Sequence, residues 1–252
     1  MIKSVFITVL CVGFICRAGN LALASHPFTT DDAGTVSSGH LEVEIGVQYA
    51  NSEDDEYALT AAFTLGIIEK LDVGASLPYL FTDSDEGVRV NGFGDAELLF
   101  KWRFVEEQDR IPAAALTAGL KTGSGDETNG LGSVGVDGIF NIILTKGLGR
   151  WVINFNVGYN AIREPENQEI EDDSIGLGLS LEYPMTKSIN IVGEVVGEIF
   201  VDDECDKDDP AEILFGIQHT LPAGTILDLG AGFGLTDGSP DYKLLFGITY
   251  VF

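Results

Sequence analysis

The sequence predicts an all-β fold: a closed transmembrane antiparallel β-barrel of about twelve strands. Three observations support this prediction. The chain begins with an apolar segment typical of secreted proteins, residues 40–252 alternate apolar and polar side chains, and the last alternating segment ends on Phe252. A soluble β-sandwich that ends on phenylalanine by chance is the alternative. We expect the protein in the outer membrane of a Gram-negative bacterium, in contact with its lipid.

The N-terminus has the three parts of a secretory signal peptide. Lys3 provides the positive charge, residues 5–15 form the apolar stretch, and Ala22-Leu23-Ala24 is a small-x-small cleavage site. The apolar stretch is shorter than the roughly 20 residues of a spanning helix, although an uncleaved anchor is the alternative. We therefore predict a signal peptide over residues 1–24. Of the three cysteines, Cys205 alone remains after cleavage, and its role stays open.

Composition excludes two classes of protein. The chain has 40 acidic and 14 basic residues, which makes nucleic acid an implausible partner because phosphate binding requires a basic surface. Hydrophobic residues make up 45% of the chain, which excludes an acidic disordered protein. The glycines of residues 230–234 are not followed by a helical pattern, as a dinucleotide site would require. We expect no cofactor and no resident metal.

Twelve alternating segments follow one another from residue 40 onward. In the first segment, Leu41, Val43 and Ile45 face one way, whereas Glu42 and Glu44 face the other. Each segment has about ten residues, which is enough for a tilted strand to cross a bilayer. The predicted strands are 40–50, 56–66, 71–81, 93–105, 111–121, 134–145, 151–161, 174–184, 188–200, 210–221, 225–235 and 241–252.

The connections alternate between short turns and longer acidic loops. Short periplasmic turns opposite longer external loops are typical of outer-membrane barrels, and an even strand number places both termini on the periplasmic side. The acidic loops are candidates for binding divalent cations, with a solvated acidic surface as the alternative. The predicted external loops are 51–55, 82–92, 122–133, 162–173, 201–209 and 236–240.

A sheet that spans a membrane is expected to close because the hydrocarbon around it cannot form hydrogen bonds. In hydrocarbon every backbone N–H and C=O must be paired within the protein, so a spanning sheet has no free edges. Apolar residues then face lipid, and polar residues face the lumen. The candidate residues for lumen selectivity are Glu42, Glu44, Asp95, Glu97, Lys101, Arg103, Glu182, Glu194, Glu198, Glu212 and Asp228. Asp72, Asp137, Lys121 and Lys243 are also assigned inward. Acids outnumber bases, which predicts a negative lumen unless the charges pair across it.

The last strand carries an assembly signal. Its alternate residues Tyr242, Leu244, Phe246, Ile248, Tyr250 and Phe252 form an apolar, aromatic-rich face. This pattern resembles the C-terminal signature read by the barrel-insertion machinery, with Tyr250 and Phe252 as its final residues. The preceding strand places Gly230, Gly232 and Gly234 inward, which leaves room for a solute or for a chain segment, or else permits sheet curvature.

The start of the predicted mature chain, SHPFTTDDAGTV, resembles a known family, the outer-membrane proteins of the putative MetA-pathway of phenol degradation. The motif residues are His26, Pro27, Thr30, Asp31, Asp32, Gly34 and Thr35. Residues 94–104, residues 119–125 and the terminal strand also match. The resemblance implies an outer-membrane transporter of aromatic or other small hydrophobic molecules.

We divide the chain into the signal peptide, a segment of residues 25–39 that lies in the periplasm or in the lumen, and the barrel of residues 40–252. This segment is too polar to span the membrane. We expect it to pack in or against the periplasmic mouth, where Asp31 and Asp32 would meet Lys101 or Arg103. Twelve strands lie between the filled eight-stranded barrels and the open porins, which predicts a narrow or plugged lumen.

The predicted function is passive passage of small solutes with a preference for cations. The alternative is a barrel that does not conduct and whose acidic loops bind cations or partners. An esterase site requires a histidine base, and the chain has only His26, His40 and His219. His40 and His219 fall near the periplasmic ends of their strands, away from the outer leaflet. We therefore do not expect an enzyme.

Overall fold

The computed structural model describes residues 27–52, 55–83, 89–133, 135–162, 173–201, 208–222 and 224–252. The predicted signal peptide, His26, Cys205 and many of the acids in the external loops lie outside these residues. Cleavage after Ala24, the role of Cys205 and cation binding by the external loops therefore stay predictions.

The alternating segments form antiparallel strands, because each places apolar side chains on one face and polar side chains on the other. In the described residues there are thirteen strands: β1 (Leu41–Asn51), β2 (Asp55–Ile68), β3 (Leu71–Asp83), β4 (Arg89–Phe93), β5 (Glu97–Val105), β6 (Ala113–Lys121), β7 (Asp137–Leu148), β8 (Trp151–Ala161), β9 (Ser174–Pro184), β10 (Ile189–Phe200), β11 (Ala211–Thr220), β12 (Ile226–Gly234) and β13 (Tyr242–Val251).

The sheet closes on itself. Strand β1 pairs with both β2 and β13, and every later strand pairs with its neighbours around the ring. Strands β4 and β5 both pair with β3, so they are two halves of one crossing. The result is the predicted closed barrel of twelve antiparallel crossings. No described residue belongs to a helix long and apolar enough to cross a membrane.

The predicted strand 93–105 is not continuous, because residues 94–96 do not belong to a strand. Regular pairing with β3 ends at Phe93 and resumes at Glu97, and Asp95 lies in this break rather than on a strand. Within the break, the Gly94 N–H still donates to the Pro78 carbonyl at 3.0 Å.

The Asp95 carboxylate accepts hydrogen bonds from the backbone N–H groups of Gly125 (2.8 Å) and Ser133 (2.7 Å). Leu131, which is buried, packs over Gly92. The loop of residues 122–133, predicted to be external, thus folds inward against the wall at the break.

The ends of the barrel differ as predicted. Gly149, with a φ of 65°, and Arg150 form the two-residue turn between β7 and β8, a conformation that glycine adopts without strain. The start of β1 and the end of β13 lie on this side, where the N–H of Phe252 donates to the carbonyl of Leu41 at 2.8 Å. Short turns mark this end as periplasmic.

Large apolar side chains cover the outer face, as expected of a lipid-facing surface. Aromatic rings form belts at both ends. On the periplasmic side the rings of Trp151 and Tyr183 lie 4.8 Å apart, and on the external side those of Tyr49 and Tyr57 lie 4.9 Å apart. Buried polar residues dominate the interior, which makes the lumen the candidate site.

Candidate functional site

The inner wall of β8, β9 and β10 is a buried polar surface. Asn154, Asn156, Ser180, Glu182 and Glu194 are each at most 8% exposed. The amide of Asn154 donates to Ser180 (3.0 Å) and to Glu182 (2.9 Å), which satisfies the carboxylate without a basic partner. These residues face inward because the alternation places them opposite the lipid-facing leucines.

Residues 27–38, which we call the plug segment, enter the lumen from the periplasmic rim. The Ser38 hydroxyl donates to the Ile67 carbonyl at 3.2 Å, and the Thr35 hydroxyl donates to the Glu69 carbonyl at 2.8 Å. From this rim the segment runs to the level of Glu194, which lies near the middle of β10. It reaches deeper than the mouth.

Two wall residues form hydrogen bonds with the backbone of the plug segment. The carboxylate of Glu194 accepts one hydrogen bond per oxygen, from the N–H of Thr29 (2.9 Å) and of Thr30 (2.8 Å). Asn156 accepts from the N–H of Asp31 (2.9 Å) and donates to its carbonyl (2.8 Å). The plug segment therefore pairs with side chains where a strand would pair with backbone.

Inward glycines make space for this segment. A Cβ atom at Gly216 would lie 2.9 Å from the Pro27 ring, one at Gly230 would lie 3.0 Å from it, and one at Gly178 would lie 2.7 Å from the Thr30 hydroxyl. Two roles were predicted for the inward glycines of β12: room for a solute or chain segment, and sheet curvature. Gly230 has the first role, because it makes room for the plug segment. Gly234 instead approaches the Pro240 carbonyl.

The predicted contact between the motif and a basic wall residue is present. Lys101 Nζ lies 2.9 Å from both carboxylate oxygens of Asp31. Arg103 instead donates to the Glu69 carbonyl at 2.9 Å. Burial raises the pKa of Asp32, an effect that Lys101 opposes and Asp31 reinforces.

The plug segment divides the lumen into two cavities. The inner cavity, about 390 Å³, lies on the periplasmic side against β1, β2, β3, β5 and β6. The outer cavity, about 330 Å³, lies against β7 to β11, with Thr29 and Thr30 of the plug segment beneath it. Both volumes match small-molecule sites.

The predicted lumen residues separate into groups. Glu42, Glu44, Lys101 and Arg103 line the inner cavity, and Glu198 and Glu212 line the outer one. Glu194 holds the plug segment, Glu182 accepts from Asn154, and Glu97 lies 3.4 Å from the Ser76 hydroxyl. Asp228 is 2% exposed. Asp95 is the exception, because it anchors a loop.

Sequence reasoning missed Asn156 and Thr145, whose hydroxyl accepts from the N–H of Ala33 at 2.8 Å. Alternation places both residues inward. They were overlooked because only charged side chains were considered as lumen candidates. The neutral polar residues are the ones that carry much of the contact with the plug segment.

Comparison with known proteins now places the chain. A family model described as "Putative MetA-pathway of phenol degradation" matches residues 24–252. The chain belongs to this family. No curated protein matches it in sequence.

Two solved structures have similar folds. The COG4313 outer membrane channel from Pseudomonas putida F1 superposes with a TM-score of 0.71 at 14% identity, over 88% of this chain and 98% of that one. The NanC porin superposes with a TM-score of 0.57 at 12% identity, over 84% of this chain and 98% of that one. This family member therefore shares the barrel fold of these two outer-membrane proteins.

Proposed function

We propose that this barrel is an outer-membrane channel for passive passage of small solutes, with a preference for cations. The observation that carries the proposal is the acid-rich polar wall around both cavities. Low-dielectric walls focus such a field and raise the local concentration of cations. Rings of acidic side chains are a common basis for cation selectivity.

The ion pairs of the wall support this preference. Lys243 pairs with Glu212 at 2.6 Å, Lys121 with Asp137 at 2.9 Å and Lys101 with Asp31 at 2.9 Å. These lysines are therefore neutralised. Within the described part of the chain, Glu42, Glu182 and Glu198 form no ion pair, so a negative potential remains.

The family description points to small hydrophobic or aromatic compounds. The aromatic side chains of the strands lie mainly on the lipid side, where Phe63, Phe100 and Phe155 are exposed. The plug segment contributes Phe28, which is half-buried. The wall is thus better suited to polar solutes.

The plug segment favours a second candidate, a barrel that does not conduct. Its hydrogen bonds to Glu194 and Asn156 hold backbone across the lumen. If the segment never leaves, the protein would act through its surface, with its acidic loops binding cations or partners. Recordings from the whole chain and from a variant lacking residues 27–36 separate the two candidates.

The test is single-channel recording in a planar bilayer with a salt gradient. We expect the deletion to increase conductance and the reversal potential to indicate cation preference, more strongly at low salt. The Debye length falls from about 30 Å at 0.01 M to about 3 Å at 1 M, so the contribution of exposed charges should weaken. Anion preference contradicts the selectivity, and a silent deletion variant that is folded supports the second candidate.

A paired substitution tests the lumen acids. Glu182→Gln with Glu198→Gln should reduce cation preference, because both face the lumen. Glu106→Gln with Asp109→Asn removes two charges from an exposed periplasmic turn and should matter less in high salt. Equal effects of the two variants would show that the lumen wall does not set selectivity.

We also infer that the barrel is not an enzyme. His219 is exposed beside Ile217 on the outer face, and His40 lies at the periplasmic rim with its Nδ1 3.4 Å from the Ser38 carbonyl. Both histidines in the described residues therefore lie away from the outer leaflet, which supports this inference. Phospholipid hydrolysis by the purified protein would contradict it.

The C-terminal residues Tyr250 and Phe252 are proposed as the assembly signal. Their rings are in contact, with centroids 4.6 Å apart, and Phe252 hydrogen bonds with Leu41 across the closing seam. Deleting Phe252 should lower the folded, heat-modifiable fraction on gels. An unchanged yield would remove this role.

A further inference from the structure

The back wall of the outer cavity includes an open shelf of backbone. Gly158 of β8 and Gly176 of β9 are register partners, and both line this cavity. A Cβ atom at Gly176 would have no described atom within 4 Å, and the atom nearest to one at Gly158 would be the Phe140 carbonyl oxygen at 3.6 Å. The Thr30 side chain of the plug segment covers Gly178 but leaves these two glycines uncovered. We call Gly158 and Gly176 the glycine shelf.

Asn141 borders the glycine shelf on the side of β7, where it is the register partner of Gly158. Asn156 accepts from the N–H of Asp31 and donates to its carbonyl, which fixes the orientation of the Asn156 amide. Asn141 can therefore bond to the Asn156 Oδ1 only through its own Nδ2, at 3.1 Å. Its Oδ1 is left buried, with no hydrogen-bond partner among the described residues. Such an atom is rare, and it points to a ligand that donates hydrogen bonds.

Glu198 and Asn160 border the glycine shelf on the side of β10 and at its external edge. Glu198 is the register partner of Gly176, and its Oε1 accepts from the Asn160 Nδ2 at 3.1 Å. A carboxylate only accepts, so the orientation of the Asn160 amide is fixed as well. The Asn160 carbonyl oxygen and the second Glu198 oxygen accept no hydrogen bond from the described residues. These two borders therefore also present acceptors.

The plug segment closes the periplasmic edge of the glycine shelf. Thr30 is 3% exposed, lies over Gly178 and lines the outer cavity. Its hydroxyl has no partner within hydrogen-bond distance among the described residues. Unused polar atoms therefore lie on all four sides of the shelf.

The character of these groups selects the kind of ligand. The acceptors of Asn141 and Asn160 are neutral, and Glu198 adds a single charge. Lys243, the base in the described lining, is paired with Glu212 at 2.6 Å, which leaves no partner for an acidic ligand there. An ammonium group concentrates its donors on one nitrogen, whereas these acceptors lie on three strands around a shelf. The arrangement fits a neutral molecule whose donors are spread around a ring.

We propose that the outer cavity binds a neutral cyclic polyol, a class that includes the pyranose sugars. The ring lies on the glycine shelf, and its hydroxyl groups donate to the carbonyl oxygens of Asn141 and Asn160 and to Glu198. A hydroxyl both donates and accepts, so another bonds with the Thr30 hydroxyl at the periplasmic edge. The cavity volume of about 330 Å³ is within the range of small-molecule sites. Binding does not require conduction, whereas passage of the polyol through the barrel rests on the proposed function.

The experiment is saturation-transfer difference NMR on the full mature chain in a detergent without sugar headgroups, with myo-inositol as the probe. The comparison probes are 1,4-dioxane, a ring whose oxygens only accept, and methylammonium, whose donors share one nitrogen. We expect myo-inositol to bind about tenfold more tightly than either, because it forms several hydrogen bonds that they cannot.

A matched pair of variants tests the glycine shelf. Gly176→Leu fills the shelf, meets no described atom at its Cβ position, and should abolish binding of myo-inositol. Gly193→Leu adds the same side chain on the lipid face, because Leu181 and Phe215, the register partners of Gly193, are exposed there. This control should bind like the native protein. Heat-modifiable mobility on gels verifies that each variant is folded.

Two further variants test the polar groups. Glu198→Gln removes the charge but keeps an acceptor, so binding of myo-inositol should change little, whereas an ammonium site would be lost. Asn141→Ala removes the unpartnered acceptor and should weaken binding several-fold. Hydrogen-exchange protection of the Asp31 amide verifies that the plug segment stays docked in this variant.

The outcomes are distinct. Equal affinity for 1,4-dioxane and myo-inositol, or binding of myo-inositol that survives Gly176→Leu, overturns the proposal. Methylammonium that binds more tightly than myo-inositol, and no longer binds after Glu198→Gln, overturns it in favour of an ammonium site. Polyol binding without conductance leaves the site standing and refutes the channel, whereas cation-selective conductance without polyol binding does the reverse.

Discussion

The polar side chains on the two sides of the lumen have different partners. On the side of β8 to β12, glutamate and asparagine side chains bind the backbone of the plug segment, and glycines admit its bulk. On the side of β1 to β3, β5 and β6, acids and a threonine hydroxyl surround an open cavity. The first side is a docking surface, and the second leaves space beside the same segment.

This difference shows how one alternating pattern builds two surfaces. Both walls are polar inside and apolar outside, so the pattern alone does not distinguish them. The docking side is distinguished by neutral amides that both donate and accept, such as Asn156. The cavity side is acceptor-rich, which leaves it dependent on donors from elsewhere.

Loss of the Glu194 carboxylate should damage the docking side most. Its two hydrogen bonds to Thr29 and Thr30 are charge-assisted, and such bonds are each worth about 1.5–3 kcal/mol. Glu194→Gln should therefore sharply reduce the hydrogen-exchange protection of these two amides. Glu198→Gln on the same strand, which contacts Asn160 instead, is the control. Equal protection in both variants would show that Glu194 does not hold the segment.

Adding one methyl group at Gly178 should displace the plug segment by a smaller amount. The new Cβ would lie 2.7 Å from the Thr30 hydroxyl, and overpacking of this kind costs about 1–3 kcal/mol. Gly176→Ala is a matched control two residues away, because nothing lies within 4 Å of its Cβ position. We expect faster amide exchange in residues 27–36 for Gly178→Ala alone. Similar amide exchange in both variants would show that the space at Gly178 is not needed for docking of the plug segment.

Protonation of Asp32 should change the amide protection of the plug segment least. It should increase that protection, whereas the two substitutions above should decrease it. Burial raises the pKa of Asp32 above its ordinary 3.8, so the docked state binds a proton more tightly than the released state. Docking therefore strengthens as the pH falls through the raised pKa, and weakens above it. Asp32→Asn should increase protection slightly at neutral pH and flatten its pH dependence. Asp31→Asn, which breaks the Lys101 ion pair, should reduce protection instead.

Alternation was sufficient to predict the barrel, because a two-residue period fixes both the strands and the face each residue occupies. It failed at Asp95, because Asp95 stands two residues before Glu97 and so continues the inward polar set of β5 into the break. In the break, Asp95 accepts hydrogen bonds from Gly125 and Ser133, which lie 30 and 38 residues later in the chain. Local alternation of apolar and polar residues cannot predict such distant contacts.

The candidate site was predictable only in part, for a similar reason. Opposite charges suggested that Asp31 or Asp32 would meet Lys101 or Arg103, and the ion pair of Asp31 with Lys101 is present. Charge could not indicate that Glu194 would bind backbone N–H groups, because every residue except proline offers one. It also could not indicate which glycines make room for Pro27.

The position of the plug segment has a consequence for biogenesis. The segment lies just before β1, so it precedes all the barrel strands along the chain. Its partner Glu194 lies 165 and 164 residues beyond Thr29 and Thr30, and Pro27 rests against glycines of β11 and β12. The segment therefore has no docking surface until the C-terminal strands are in place. Residues that precede the first strand can therefore dock only after the last strands have folded.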